Sequence, residues 1–371
     1  MKAKAAVFMG SGEPFSIREF DVTATPAGYG RSSLIASGVC GTDLHFYRGT
    51  LTAGVPSIIG HEFIGKLEDC NADEAAAYGL AVGDHVIADI AVPCGECLLC
   101  KSGDDANCVR MAVTNGGRID EAPYLWGGYA EVNYTPLANL VKIPEELDPV
   151  AVSVFACPGP TAIHAFSLGE QAGLKWENIH SAVVQGAGPV GCFAAAYIKA
   201  MGVDHVYVID GHENPKREAL LKRLGIEEVF CLATATTATT AMGAEAITKR
   251  LQEENGGLGV DLCYEASGSP RAVPQGMNIL RNRGIYLVPG QYSNSGGIEI
   301  QPQMITFKAI LIVGSSQYSM VDVRRYLEFL QKNPSLSDIF RSLATCYTIE
   351  QTNEAFADAL AGKNVKTVLV K

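Results

Sequence analysis

Gly186-Ala-Gly188-Pro-Val-Gly191 follows directly on an apolar run, residues 180–185, and opens a stretch with helical spacing, residues 189–201. A strand, a tight turn and a helix in that order leave few folds open. The first glycine permits the turn, and the second lets backbone N–H groups approach a pyrophosphate. The third lets helix and strand pack closely, with the phosphates at the helix N-terminus. Gly186, Gly188, Pro189, Val190 and Gly191 are therefore the expected dinucleotide-binding residues. The next apolar run, residues 205–209, ends at Asp210, near the ~20-residue offset at which a carboxylate accepts hydrogen bonds from the adenosine ribose. A carboxylate there would repel a 2′-phosphate and favours NAD over NADP. A helix-capping aspartate is the other reading, and the basic residues Lys216 and Arg217 just behind it leave NADP open.

The same rhythm continues for about 150 residues, the span of a doubly wound unit. Helical patterns at 215–224, 243–254 and 271–280 alternate with strand patterns at 228–232, 260–265, 284–288 and 309–313. Strands alternating with helices predict an α/β unit with a doubly wound parallel sheet of six strands. The Thr/Ala run at 233–241 reads as an elongated loop. Upstream, short strand patterns at 5–8, 33–37, 58–68, 85–88, 129–134 and 139–143 lie between turn clusters and predict a β-rich, barrel-like body. A strand-like tail at 365–370 comes after the parallel series and is expected to return to this first body. At 371 residues, with 39 glycines, the chain suits two domains rather than one.

Charge narrows the partners. Twenty-nine basic against 40 acidic side chains give a net charge of −11, which argues against nucleic acid and against an anionic membrane surface. No apolar run is long enough to span a bilayer. Eleven cysteines, an odd number, with no secretory signal at the start point to a reducing, cytoplasmic setting.

Four of those cysteines, Cys94, Cys97, Cys100 and Cys108, fall within fifteen residues at spacings C-x2-C-x2-C-x7-C. Such spacing lets a short loop fold four sulfurs around one zinc ion. A complete thiolate shell leaves no position for water or substrate, so this is a structural site. Chemistry needs an open set of three ligands. Cys40 and Cys157 lie among glycines and prolines at the ends of apolar strands, and Gly60-His61-Glu62 adds an imidazole. Cys40, His61 and Cys157 would make such a site, although His61 taken alone reads as a structural histidine.

The chain resembles the zinc-dependent alcohol dehydrogenases of the medium-chain dehydrogenase/reductase superfamily along essentially its whole length. The likeness rests on Gly38-Val-Cys-Gly-Thr-Asp-Leu-His45, Gly60-His-Glu62, the Cys94–Cys108 lobe, Gly127-Gly-Tyr-Ala-Glu131 and the Gly186–Gly191 turn. It implies a GroES-like catalytic domain of residues 1–157 and 315–371 around a Rossmann NAD-binding domain of residues 158–314. It implies two zinc ions per chain: a catalytic one on Cys40, His61 and Cys157, and a structural one on the lobe. Glu62 would stand beside the first as an alternate ligand, and Asp43 would orient His61. The tail places Lys366 as a contact for the cofactor phosphates. Gly41 stands where some members carry a basic residue that meets the phosphate.

Hydride exchange between an alcohol and NAD, reversible from the aldehyde or ketone, is the implied reaction, with zinc acidifying the alcohol. The proton would leave through Thr42 and His45. Reduction of an activated C=C bond and a non-catalytic nucleotide-binding role are the alternatives, and the Thr42/His45 pair argues against the former. Phe46, Leu51, Ile90 and Trp126 are the expected walls of an apolar substrate pocket. The apolar strand at 309–313, read as a sheet edge, suits pairing with a second chain, as homodimer or homotetramer.

Overall fold

The computed structural model describes every residue except 227, 233–241 and 292. The Thr/Ala run lies outside the described residues. The chain divides into one compact unit of Met1–Pro160 with Gln317–Lys371 and a second of Thr161–Ser316. The change of unit thus falls at Pro160/Thr161, inside the helix Pro158–Ala172, rather than at 157/158. Pro-Gly-Pro at 158–160 reads as a breaker in sequence, yet proline is well suited to the first turn of a helix because no N–H partner is needed there.

In the second unit six parallel strands run in the order Glu228–Cys231, His205–Asp210, Ser181–Gln185, Val260–Glu265, Leu280–Val288 and Leu311–Gly314. Every residue of Ser181–Gln185 and Val260–Glu265 is buried, as expected of strands covered on both faces. The chain leaves Ser181–Gln185 in one direction and later returns on its other side with Val260–Glu265. Ligands of such sheets bind outside the carboxyl ends of the strands at this reversal, and Gly186 is the next residue after it.

In the first unit the main sheet runs Ala344–Thr348, Lys366–Val370, Tyr29–Gly38, Glu62–Cys70, His85–Ala88 and Leu140–Lys142, with Val132–Pro136 also paired to Tyr29–Gly38. The tail does return to this body: Lys366–Val370 lies antiparallel to Tyr29–Gly38, with Val368 opposite Gly38. Lys2–Val7 and Ser16–Asp21 form a separate hairpin. The core between these layers is aromatic, with Phe15 and Phe356 ring centroids 4.5 Å apart and Tyr129 in edge contact with both. The strand expected at 58–68 starts only at Glu62. Gly60 has φ +93°, and that left-handed residue ends any extended run before His61. Among the described residues no helix is long and apolar enough to cross a membrane.

Candidate metal centres and the glycine turn

The four-cysteine segment is closed at its base by a short hairpin, Ala91–Val92 against Ala112–Val113. Cys97 caps the helix Leu98–Lys101. Separations are 3.4 Å for Cys97–Cys100 and 4.0 Å for both Cys94–Cys100 and Cys97–Cys108. Sulfurs held at about 2.3 Å on a tetrahedral ion stand about 3.8 Å apart, so the set fits one zinc. Backbone N–H groups also point at sulfur: Cys94 N–H donates to Cys108 Sγ, Cys97 N–H to Cys94 Sγ and Arg110 N–H to Cys108 Sγ. On Cys94 the backbone groups of Glu96 and Cys97, and then the Arg110 guanidinium, bring the thiol down to about 6, so the thiolate needed for zinc forms readily.

The second set is assembled from distant parts of the first unit. Cys40 caps the helix Gly41–Arg48, His61 precedes the strand Glu62–Cys70, and Cys157 sits between the helices Pro149–Val154 and Pro158–Ala172. Ligand atoms of Cys40, His61, Glu62 and Cys157 all lie within 4.8 Å of one another. Cys40 Sγ is 3.9 Å from Cys157 Sγ, again the separation of two sulfurs on one tetrahedral ion. The hydrogen bond between the two sulfurs holds Cys40 well below the thiol range despite its burial and pushes Cys157 up. Burial opposes charge on His61, but Asp43 and Cys40 outweigh it and raise the imidazole. Two sulfurs and an imidazole with a carboxylate alongside suit an open zinc site.

Around this set Asp43, Glu62, Tyr129 and Lys366 are buried, while Thr42 and His45 are half-buried. Asp43 Oδ1 is 3.5 Å from His61 Nδ1, while its Oδ2 accepts from Cys40 N–H at 2.9 Å and Tyr129 O–H at 2.7 Å. Thr42 Oγ1 lies 3.8 Å from Cys40 Sγ. His45, one helical turn on, shares a 2.8 Å hydrogen bond through Nδ1 with Thr50 Oγ1. Burial lifts Glu62 to about 7 against the pull of Lys366.

Lys366, expected on the cofactor phosphates, meets a carboxylate of its own unit. It is 2 % exposed, and its Nζ is ion-paired with Glu62 Oε2. The cause is register: Val368 pairs with Gly38, and Gly38 with Glu62, so the two side chains meet over Gly38. A Cβ at Gly38 would come within 1.8 Å of Glu62 Oε2.

Phe46 packs against the aromatic core of the first unit. Trp126 lies edge-on to Tyr29 at 5.8 Å and over Gly117, so both aromatics are engaged in packing. Leu51 and Ile90 are half-buried. Tyr129 has no role in the sequence reading beyond its place in the motif Gly127-Gly-Tyr-Ala-Glu131, where a Cβ on Gly127 would meet the Ile58 carbonyl at 1.9 Å.

In the second unit, Gly186 has φ +98° and donates its N–H to Ile209 O at 2.7 Å. Gly188 caps the helix Pro189–Ala200, with Pro189 in its first turn and open space where a Cβ would point. A Cβ on Gly191 would lie 1.8 Å from Gly186 O, so that glycine is required for helix and turn to touch. The backbone thus leaves room for a phosphate at the helix N-terminus. Asp210 ends its strand half-buried, with Arg217 Nη1 4.0 Å from its Oδ2, and Lys216 is exposed. Glu265 Oε1 accepts from Ser267 N–H, Ser267 Oγ and Gly268 N–H, fixing the loop that packs on Gly186.

These features agree with what the chain is similar to. Residues 33–145 match the alcohol dehydrogenase GroES-like domain and residues 189–332 the zinc-binding dehydrogenase domain. Erythritol/L-threitol dehydrogenase of Mycolicibacterium smegmatis is 32% identical over 270 residues, covering 70% of this chain and 68% of that one. 5-exo-hydroxycamphor dehydrogenase of Pseudomonas putida is 28% identical over 345 residues, 91% of this chain and 90% of that one. A crystal structure of an alcohol dehydrogenase from Thermotoga maritima aligns over 100% of this chain and 99% of its own, with a TM-score of 0.88 and 26% identity. The chain belongs to the zinc-dependent alcohol dehydrogenase family of the medium-chain dehydrogenase/reductase superfamily. It is an alcohol-type oxidoreductase, and its family and site support zinc with a nicotinamide cofactor.

Proposed function

We propose that the chain is an NAD-dependent dehydrogenase of primary or secondary alcohols, holding two zinc ions per chain. The observation that carries this reading is the convergence of Cys40, His61 and Cys157, three ligands and no more than a neighbouring carboxylate, beside a separate four-sulfur set. When bound at the three-ligand site, zinc supplies the Lewis acidity that lowers the pKa of an alcohol hydroxyl. Thr42, 3.8 Å from the Cys40 sulfur, would take the hydroxyl proton, and His45, hydrogen-bonded to Thr50, would pass it on. Asp43 holds His61 in one orientation. The nicotinamide cofactor, when bound, would supply the acceptor for the alcohol carbon's hydride, with the carbonyl product and a proton released.

Asp210 supports NAD because a carboxylate at the end of this strand would accept hydrogen bonds from the adenosine ribose. Small-molecule alcohols and carbonyls are the partners in this reading. A homodimer or homotetramer in the cytoplasm is its setting.

A screen of primary, secondary and polyhydroxy alcohols for NAD reduction, beside zinc content per chain, tests the proposal. NADH formation with an alcohol and two zinc ions supports it. Hydride transfer to no alcohol, aldehyde or ketone in protein carrying both ions would overturn it.

A further inference from the structure

Tyr129 is a fully buried side chain that reaches the neighbourhood of the three-ligand site from outside the ligand-bearing segments, and the proposed chemistry does not use it. Its hydroxyl donates to Asp43 Oδ2 at 2.7 Å, across 86 residues of sequence. Its backbone is pinned at both ends: Tyr129 N–H donates to Ile59 O at 3.2 Å and Tyr129 O accepts from Ala6 N–H at 2.9 Å. The ring fills the space over Gly60, where a Cβ would meet it at 2.6 Å. Gly60 O is itself held by Gly128 N–H at 3.0 Å and by Asn115 Nδ2 at 3.3 Å. His61 is the next residue.

We propose that Tyr129 is a positioning residue for the metal ligand His61, acting through Asp43. The argument rests on how the Asp43 carboxylate is fixed. It is wholly buried, and its two oxygens have different duties: Oδ2 takes both donors, Cys40 N–H and Tyr129 O–H, while Oδ1 has none of its own and faces His61 Nδ1 at 3.5 Å. Two donors on one oxygen stop the carboxylate from rotating about its Cβ–Cγ bond. With only the Cys40 N–H left, the carboxylate can turn, and Oδ1 loses its fixed aim at the imidazole. Partners that orient a ligating histidine typically contribute ~10–100-fold in metal affinity. The phenol is one step further out, so the low end of that range is expected.

This inference rests on the reading that Cys40, His61 and Cys157 hold a metal, and the test separates the two. Full-length protein and Tyr129→Phe are loaded with zinc, challenged with a chelator, and analysed for metal retained at each site; cobalt-loaded samples report ligand geometry through their visible absorption. Phenylalanine keeps the ring over Gly60, so the thermal midpoint of zinc-loaded protein is the control for packing. Loss of metal from the three-ligand site about tenfold faster than in the parent, with the four-cysteine site unchanged and an altered cobalt spectrum, is the expected result. A lowered midpoint with unchanged metal release and an unchanged spectrum makes Tyr129 a packing residue and overturns the proposal. A parent protein that binds metal only in the four-cysteine lobe overturns the underlying reading instead. Asp43→Asn, alone and combined with Tyr129→Phe, supplies the second check. If Tyr129 acts through Asp43, adding Tyr129→Phe to Asp43→Asn costs no further metal; fully additive losses sink the idea.

Discussion

At the scale of single residues, burial and pairing decide what each ionisable group can do. Asp89 is 2 % exposed and borders a cavity of about 230 Å3 with Asp105, Tyr318 and Ser319. Burial, then Asp105 and Asp322, lift its carboxyl from 3.8 to about 7, with only the Ala91 N–H pulling the other way. The folded chain therefore binds more protons than the unfolded one between about pH 4 and pH 7, and stability falls as pH rises through that window. A shift of this size corresponds to roughly 4 kcal/mol at pH 8. Asp89→Asn, which keeps the acceptor for Ala91, is expected to show a higher urea midpoint than the parent at pH 8 and the same midpoint near pH 4. Parallel midpoints across that range would mean Asp89 ionises freely. Asp210 carries a different expectation. Asp210→Ala should shift the ratio of kcat/KM for NAD over NADP towards NADP by about tenfold or more, the worth of one hydrogen bond to a charged group. An unchanged ratio would leave Asp210 a local turn residue, bonded to its own Gly211 N–H.

Elements show where a short motif is enough and where it is not. The four-cysteine lobe closes on itself: a short hairpin, one turn of helix and sulfurs 3.4 to 4.0 Å apart. Its ligands are near neighbours in sequence, so their spacing alone encodes the site. Cys94→Ser should lower folded yield and the thermal midpoint by more than it lowers activity per surviving molecule, because metal bound at such a site is folding free energy. A stable variant lacking the lobe metal would refute the structural role. The glycine turn is likewise local: Gly186, Gly188 and Gly191 each have a steric reason to be glycine or an open face within the turn itself. The helix Pro158–Ala172 was missed for a local reason too, since its Pro-Gly-Pro start imitates a loop. Glu62 and Lys366 are the opposite case. Nothing near either residue in sequence names the other; two strand registers, both passing through Gly38, bring them together.

Across the whole molecule, the first unit is built from both ends of the chain and the second from the middle. The six-stranded sheet ends at Leu311–Gly314, with Ile312 39 % exposed and, close by in sequence, Phe307 76 % exposed on the helix Gln303–Lys308. An open edge with apolar side chains is a surface that a soluble chain ordinarily covers. In the proposed homo-oligomer this edge meets a second copy, and Phe307→Asp should reduce the mass measured by light scattering towards that of a single chain. A monomeric parent, or a variant of unchanged mass, would place the assembly elsewhere or remove it.

The order and spacing of residues were enough for the alternation of strand and helix that builds the parallel sheet, for the glycine turn and for the sulfur lobe, because each is written in residues close together in the sequence. Folding alone supplied the rest. Cys40 and Cys157 meet across 117 residues, Tyr129 reaches Asp43 and Lys366 turns inward to Glu62. Such contacts depend on which strands pair and in what register, and on where a missing Cβ lets two side chains cross. No interval in the sequence records that.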